Sequence, residues 1–196
     1  MRLATKYPNH TLYAATVESN LIEREPTTGE SFDRHWRGTL LARTAAEEGT
    51  ILHPRVLAQI LWDGHANGDR YRMMDVYVNQ EDEQRHVFPP YQSVQGMMNA
   101  WWFNLKDAHI FGRQNLNDPM ERFHFHAWFE AIHPFIDGNG RVGRMLLWNL
   151  DMLTEGLLHR IDYEFRNEYY DALEDWRKAH SALTLEVGEH AGATGV

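Results

Sequence analysis

The sequence predicts a mostly α-helical domain, a helical bundle carrying one small β-hairpin. Three observations carry this reading. Apolar residues recur at helical spacing in several separate stretches. Two short strand-like runs flank a polar turn between residues 72 and 88. Glycine and proline stand where helices should stop and start. The chain has 196 residues, enough for one domain with a real core and too few for a second full one. A hydrophobic fraction of 43% and an aromatic fraction of 12% place it among ordinary globular chains and not among disordered ones.

Taken in order, residues 1–33 are mixed in character, with a turn at Glu25-Pro26-Thr27-Thr28-Gly29, and read as an N-terminal extension. From Arg34 to about Glu48, Trp36, Leu40, Leu41 and Ala45 fall at helical spacing, and Gly49 supplies a stop. A short helix is expected from Pro54 to Trp62, then a loop from Asp63 to Asp69. Arg72 to Val78 reads as a strand, residues 79–84 as its turn, and Arg85 to Phe88 as the return strand, ended by Pro89-Pro90. A helix follows from about Ser93 to Leu105. The next is the best marked: Asp118 can cap it, Pro119 suits its first position, Glu121 stands three residues after the cap, and it runs to Ile132. Another is expected from Gly140 to Gly156, with Val142, Met145, Leu146, Leu150 and Leu153 on one apolar face. The last covers Phe165 to Ala179. The core domain is therefore placed at residues 34–187, and the Gly/Ala-rich end 188–196 is expected to be a disordered tail.

Charge and composition exclude several functions. The net charge of −9 argues against a nonspecific nucleic-acid binder, which needs a basic stripe to displace phosphate counterions. There are no cysteines, so disulfides, thiolate zinc sites and a cysteine nucleophile are excluded. No apolar run approaches the roughly 18 residues of a membrane span, and the first twenty residues lack a signal-peptide core. The expectation is a cytoplasmic protein with neither a membrane nor a nucleic acid as partner.

The chemistry concentrates in His133-Pro134-Phe135-Ile136-Asp137-Gly138-Asn139-Gly140-Arg141-Val142-Gly143-Arg144, between two predicted helices. Gly138 and Gly140 allow backbone conformations closed to other residues, so the loop can turn several N–H groups toward one point at a helix N-terminus. Arg141 and Arg144 are three apart and share one face of the first helical turn, where guanidinium forks would clamp phosphate oxygens. Asp137 is a lone carboxylate beside this anion site, which suits Mg²⁺, an ion usually held by one or two carboxylates together with substrate phosphates. His133 can take a proton near neutral pH. The stretch reads as a polyphosphate site with Mg²⁺ and a general base. It has neither the glycine spacing and Lys-Ser/Thr pair of a P-loop nor the spacing of a dinucleotide fold.

This stretch resembles the signature of the Fic (Fic/Doc) family, His-x-Phe-x-Asp/Glu-Gly-Asn-Gly-Arg-x-x-Arg, with every fixed position matched. The resemblance extends over about residues 35–180, through the hairpin before Phe88-Pro89-Pro90, the helix ending Phe129-Glu130-Ala131-Ile132, and the late Tyr169-Tyr170-Asp171-Ala172-Leu173. It implies a protein adenylyltransferase that moves AMP from ATP to a Tyr, Ser or Thr hydroxyl of a target protein. By the resemblance, His133 is the general base, Asp137 holds Mg²⁺, and the backbone of Gly138, Asn139 and Gly140 cradles the α- and β-phosphates together with the Asn139 side chain. Arg141 neutralises the leaving pyrophosphate, Arg144 reaches the γ-phosphate, and Phe135 anchors the loop. The hairpin resembles the family's flap, which implies that Tyr77, Val78, Val87 and Phe88 would hold the target's backbone as an added strand.

The family's inhibitory pattern, Ser/Thr-x-x-x-Glu-Gly/Asn, is matched by Thr44-Ala45-Ala46-Glu47-Glu48-Gly49. The resemblance therefore implies an inhibitory helix at about residues 34–49 in which Glu48 pairs with Arg144, Thr44 and Gly49 completing the motif. A competing metal-hydrolase reading rests on His124, His126 and His133 with Glu121 and Glu130, but side chains two apart on a helix point to different faces. The same fold could also transfer a different phosphate-containing group, remove AMP, or serve as a non-catalytic module. Gly138 and Arg141 match the AMP-transferring branch. The target, the base of the nucleotide, the biological role and the oligomeric state are not written in the sequence, and a homo-oligomer is left open.

Overall fold

A computed structural model describes residues 7–63, 68, 70–79, 85–112, 114–154, 156–181 and 183. Among these, seven α-helices and one pair of strands follow in order: α1 Asn9–Ile22, α2 Gly29–Glu47, α3 Pro54–Leu61, β1 Tyr77–Asn79, β2 Arg85–Val87, α4 Tyr91–Phe111, α5 Pro119–Ile132, α6 Asn139–Leu153 and α7 Arg166–Ala179. A 3₁₀ turn at Tyr163–Phe165 leads into α7. The mostly helical fold class is as expected. No described helix is long and apolar enough to cross a membrane.

Helix α6 is the axis of the domain. From Arg141 through Met152 every residue is buried, because α2, α5, α3 and α1 pack around it. The sequence predicts one apolar face; the structure encloses all sides, so the polar residues on α6 require partners. Asn149 accepts a hydrogen bond from Leu52 N at 3.1 Å and donates to Ala42 O at 2.8 Å, tying α2 and the start of α3 to the axis. Asp151 accepts from Arg122 Nε at 2.8 Å, from His159 N at 2.7 Å and pairs with His159 Nδ1 at 2.8 Å. Arg122 donates further to the carbonyls of Leu116 and Asn117, so the loop before α5 closes on the same pair.

Several boundaries differ from expectation. Within the expected N-terminal extension, residues 7–33 contain α1, a helix the sequence pattern does not predict, and α1 packs on α2 and α6. Its buried face is small and polar, with Thr16, Ser19 and Asn20 beside Leu12, Ala15 and Ile22, and Pro8 at its start provides no side-chain cap. The partner on α2 is equally polar: Thr16 Oγ1 lies 3.1 Å from Thr39 Oγ1, and Asn20 Oδ1 lies 2.6 Å from His35 Nδ1. Helix α2 begins at Gly29, five residues before the expected Arg34. Helix α5 starts as expected, with the Asp118 carboxylate accepting from Met120 N at 2.9 Å. Helix α4 is longer than expected, from Tyr91, whose N–H is accepted by Asp75 at 2.9 Å, to a left-handed cap at Gly112.

The hairpin is present but shorter. Strand β1 covers Tyr77–Asn79 instead of Arg72 to Val78 and pairs antiparallel with β2, Tyr77 opposite Val87 and Val78 opposite His86. Arg72 lies outside the strand, with its side chain buried. Of the expected turn at residues 79–84, Asn79 ends β1; residues 80–84 and the expected tail at 188–196 lie outside the described residues.

The Arg122–Asp151 pair is enclosed, with side-chain exposures of 1% and 0%. Removing one partner strands a buried charge. Asp151→Ala is expected to lower the unfolding free energy by about 3–5 kcal/mol, measured by chemical denaturation.

Candidate active site

The segment from His133 to Arg144 folds as a loop between the end of α5 and the start of α6. His133 caps α5 in a left-handed conformation, φ 51°, which a non-glycine residue adopts only at a cost of roughly 1 kcal/mol. Its ring stacks on Phe88, the residue after β2, with centroids 3.8 Å apart and planes 15° from parallel. Phe135 is fully buried and packs near Phe129 and Tyr71, so it anchors the loop. Asn139 is buried too. Its Oδ1 accepts from Phe135 N at 2.8 Å and its Nδ2 donates to Phe135 O at 2.9 Å. This corrects one expectation: the Asn139 side chain is not turned outward toward phosphates but closes the loop upon itself.

Gly138 precedes α6 with φ 76°, and a Cβ there would press into the Leu61 side chain. Its N–H is accepted by the exposed Asp137 carboxylate at 2.5 Å. Gly140, in the first turn of α6, is approached so closely by a carboxylate that a Cβ would collide with it. That carboxylate belongs to Glu23.

Arg144 is 1% exposed and its Nη2 pairs with Glu23 Oε1 at 2.6 Å. Its Nε donates to Ser19 Oγ at 2.7 Å, and its guanidinium lies over the Tyr169 ring at 5.8 Å. Burial alone would lower its pKa, but Glu23 and Tyr169 hold it above its ordinary value. Arg141 is buried as well, with Nη2 at 3.3 Å from Glu25 Oε1 and Nη1 at 3.5 Å from Ser31 Oγ. The connection from α1 to α2 thus lays two carboxylates over the two arginines.

The pairing of Glu48 with Arg144 is therefore overturned. Glu48 is an exposed residue at the end of α2, and Thr44 donates only to Leu40 O within its own helix. Gly49, φ 72°, donates to Ala46 O, and Thr50 donates to Ala45 O, which is an ordinary helix-ending Schellman pair. Helix α1 ends in the same way: Arg24 N donates to Leu21 O at 3.0 Å and Glu25 N to Asn20 O at 2.9 Å, with Arg24 at φ 58°. Ser19-Asn20-Leu21-Ile22-Glu23-Arg24 thus matches the inhibitory pattern except at its last position, where Arg24 adopts the left-handed conformation that favours Gly or Asn. That single mismatch hides Glu23, although Ser19 and Glu23 at spacing four are a readable signal. Arg72 carries none: it is one cation in a stretch that reads as a strand.

Behind Arg144 lies a buried polar group. His126 Nε2 meets Tyr169 OH at 2.9 Å, and Glu130 sits beside Arg144. Burial pulls the His126 pKa down to about 3 and pushes the Glu130 carboxyl up to about 8, with Arg144 opposing the latter shift. His126 and His124 face different partners, His124 Nδ1 accepting from Trp176 Nε1 at 3.1 Å. Among the described residues no group of three or more His, Asp or Glu side chains is placed to hold a metal ion. The hydrolase constellation is not assembled.

Fold and site together define a class: an α-helical domain that presents a loop-bound histidine and two arginines at one helix N-terminus. The chain belongs to the Fic/DOC family, whose model matches residues 51–150. It is 32% identical over 185 residues to a protein adenylyltransferase Fic of Aedes aegypti, covering 84% of this chain and 34% of that protein. It is 33% identical over 129 residues to one of Nematostella vectensis, covering 62% of this chain and 26% of that protein. The chain thus spans about a third or less of these relatives. A Fic domain containing signaling protein from Bacteroides thetaiotaomicron shares the fold at TM-score 0.71 and 18% identity, covering 86% of this chain and 73% of that one.

The buried Glu130 sets a pH dependence. Its raised folded pKa means the folded chain keeps a proton that the unfolded chain releases above about pH 4.5, so its stability contribution is present below that pH and is lost as pH rises toward 8. Glu130→Gln has no such group. Between pH 5 and 8 the unfolding free energy of wild type is expected to fall by roughly 2 kcal/mol or more relative to the variant, read from denaturation curves at both pH values.

Proposed function

We propose that this chain is a protein adenylyltransferase that transfers AMP from ATP to a Tyr, Ser or Thr hydroxyl of a target protein, and that its resting form is inhibited by Glu23. The observation that carries the reading is the grip of Arg144 on the Glu23 carboxylate at 2.6 Å, beside Gly140 at the N-terminus of α6. A guanidinium so held, at the positive end of a helix, is suited to a phosphate oxyanion. Glu23 stands where the γ-phosphate would be received, and Glu25 does the same to Arg141.

With Glu23 withdrawn, Arg144 takes the γ-phosphate and the backbone of Gly138, Asn139 and Gly140 lines the α- and β-phosphates. The target hydroxyl oxygen attacks the α-phosphorus, its proton passes to His133, and the bond to the bridging oxygen of pyrophosphate breaks. Arg141 neutralises the leaving pyrophosphate. Asp137, an exposed carboxylate next to this loop, fits as the protein ligand of Mg²⁺, which supplies charge neutralisation on the phosphates. Tyr77 and Val87 are exposed on opposed strands, and Phe88 joins the hairpin to the His133 ring, which supports docking of the target's backbone along this hairpin.

The test is the initial rate of transfer at saturating ATP, read by intact-protein mass spectrometry. Glu23→Gly should raise it by about tenfold or more, since productive phosphate placement governs the rate. Glu48→Gly should leave it unchanged. Adding His133→Ala to Glu23→Gly should abolish transfer while ADP binding persists. Equal rates in wild type and Glu23→Gly would remove the inhibitory role, and the absence of any AMP adduct from Glu23→Gly would remove the transferase reading.

A further inference from the structure

We infer that Arg72 is a positioning residue that fixes the hairpin to the histidine at the reaction centre, so that one buried cation sets the distance between target and base. Arg72 is 5% exposed. Its guanidinium donates to four backbone carbonyls drawn from three segments. Nε donates to His133 O at 2.8 Å, Nη1 to Met74 O at 3.1 Å, and Nη2 to Pro89 O and to Ile132 O, the last at 3.5 Å. Its backbone N–H donates to Pro134 O at 2.8 Å. Met74 precedes β1 and Pro89 follows β2, so the same side chain holds both feet of the hairpin and the carbonyl of His133 itself.

Two features of His133 make this contact consequential. The residue is left-handed, and it precedes proline, which disfavours helical backbone conformations further. Its carbonyl accepts from Arg72 Nε at 2.8 Å, so the Arg72 side chain holds the backbone at this point. The imidazole of the same residue stacks on Phe88, which lies one residue before Pro89. Arg72 therefore sets the backbone of His133 and the backbone beside its stacking partner together. Asp75 adds a second tie, accepting from Tyr91 N at 2.9 Å while lying 3.9 Å from Arg72 Nη1. Only a guanidinium supplies enough donors in a fixed plane for this set. Lysine retains the charge but has three donors on one atom and no equivalent of Nε.

The activity arm of the test rests on the transferase reading; the spectroscopic arm does not. Arg72→Lys is made in wild type and in Glu23→Gly, with Arg72→Gln as a second variant should the lysine chain not fold. Thermal shift with ADP checks folding and the phosphate site. The face-to-face stack gives the His133 ring protons an upfield ring-current shift, assigned by its loss in His133→Gln and in Phe88→Leu. Loss of that shift in the Arg72 variants, with ADP affinity within threefold and turnover with a protein target down about a hundredfold, is the expected result; a misplacement near 1 Å costs on that order. A retained ring-current shift overturns the inference, as do turnover within threefold of the parent or an equal loss of ADP binding, which would make Arg72 a general stabiliser. If Glu23→Gly carries no transferase activity at all, the transferase reading fails, and the ring-current shift still decides the role of Arg72.

Discussion

Everything in this domain depends on enclosing a helix that is not apolar enough to be enclosed for free. Helix α6 is buried on all sides, yet it carries Arg141, Arg144, Asn149 and Asp151. A buried polar group without a partner is costly, so each of these dictates what must lie against it. Asn149 and Asp151, at the far end, draw in the carbonyls of α2, the start of α3, and the Arg122 side chain of α5. Arg141 and Arg144, at the near end, draw in the α1–α2 connection. The far end is closed permanently by groups of the core. The near end is closed by glutamates that are about 30% exposed and sit on a connecting segment. One helix thus has an end enclosed by core groups and an end closed by partly exposed glutamates.

The same contrast explains what can be read from the sequence. The boundaries of α5 are legible because Asp118, Pro119 and the following apolar residues are local signals. So is the loop, since its glycines, its asparagine and its arginines lie within twelve consecutive residues. Helix α1 is not, because its packing against α2 is made by Thr16, Thr39, Asn20 and His35, which have no apolar periodicity. The roles of Asn139 and Arg72 stay hidden for a different reason. Asn139 folds back on the backbone of Phe135, which its residue type does not announce, and Arg72 acts on carbonyls that only the fold brings together.

The segment proposed as inhibitory illustrates a physical ambiguity in motif reading. A glutamate at the end of a helix, followed by Gly or Asn, describes a Schellman ending as well as it describes an inhibitor. Thr44 to Gly49 and Ser19 to Arg24 both end helices in this way. What separates them is which arginine lies opposite, and that is set by the packing of α1 on α6, not by the six residues themselves.

Arg24 has a consequence of its own. It lies between Glu23 and Glu25 and holds a left-handed backbone, φ 58°, where glycine would be indifferent. An arginine there costs roughly 1 kcal/mol. In the released form proposed above, the connection would return to ordinary dihedrals and shed this cost. It would then act as a small preloaded spring, favouring the proposed release by about fivefold in population. On the proposed mechanism, a nucleotide displacing Glu23 and Glu25 would begin with that advantage already built into the backbone.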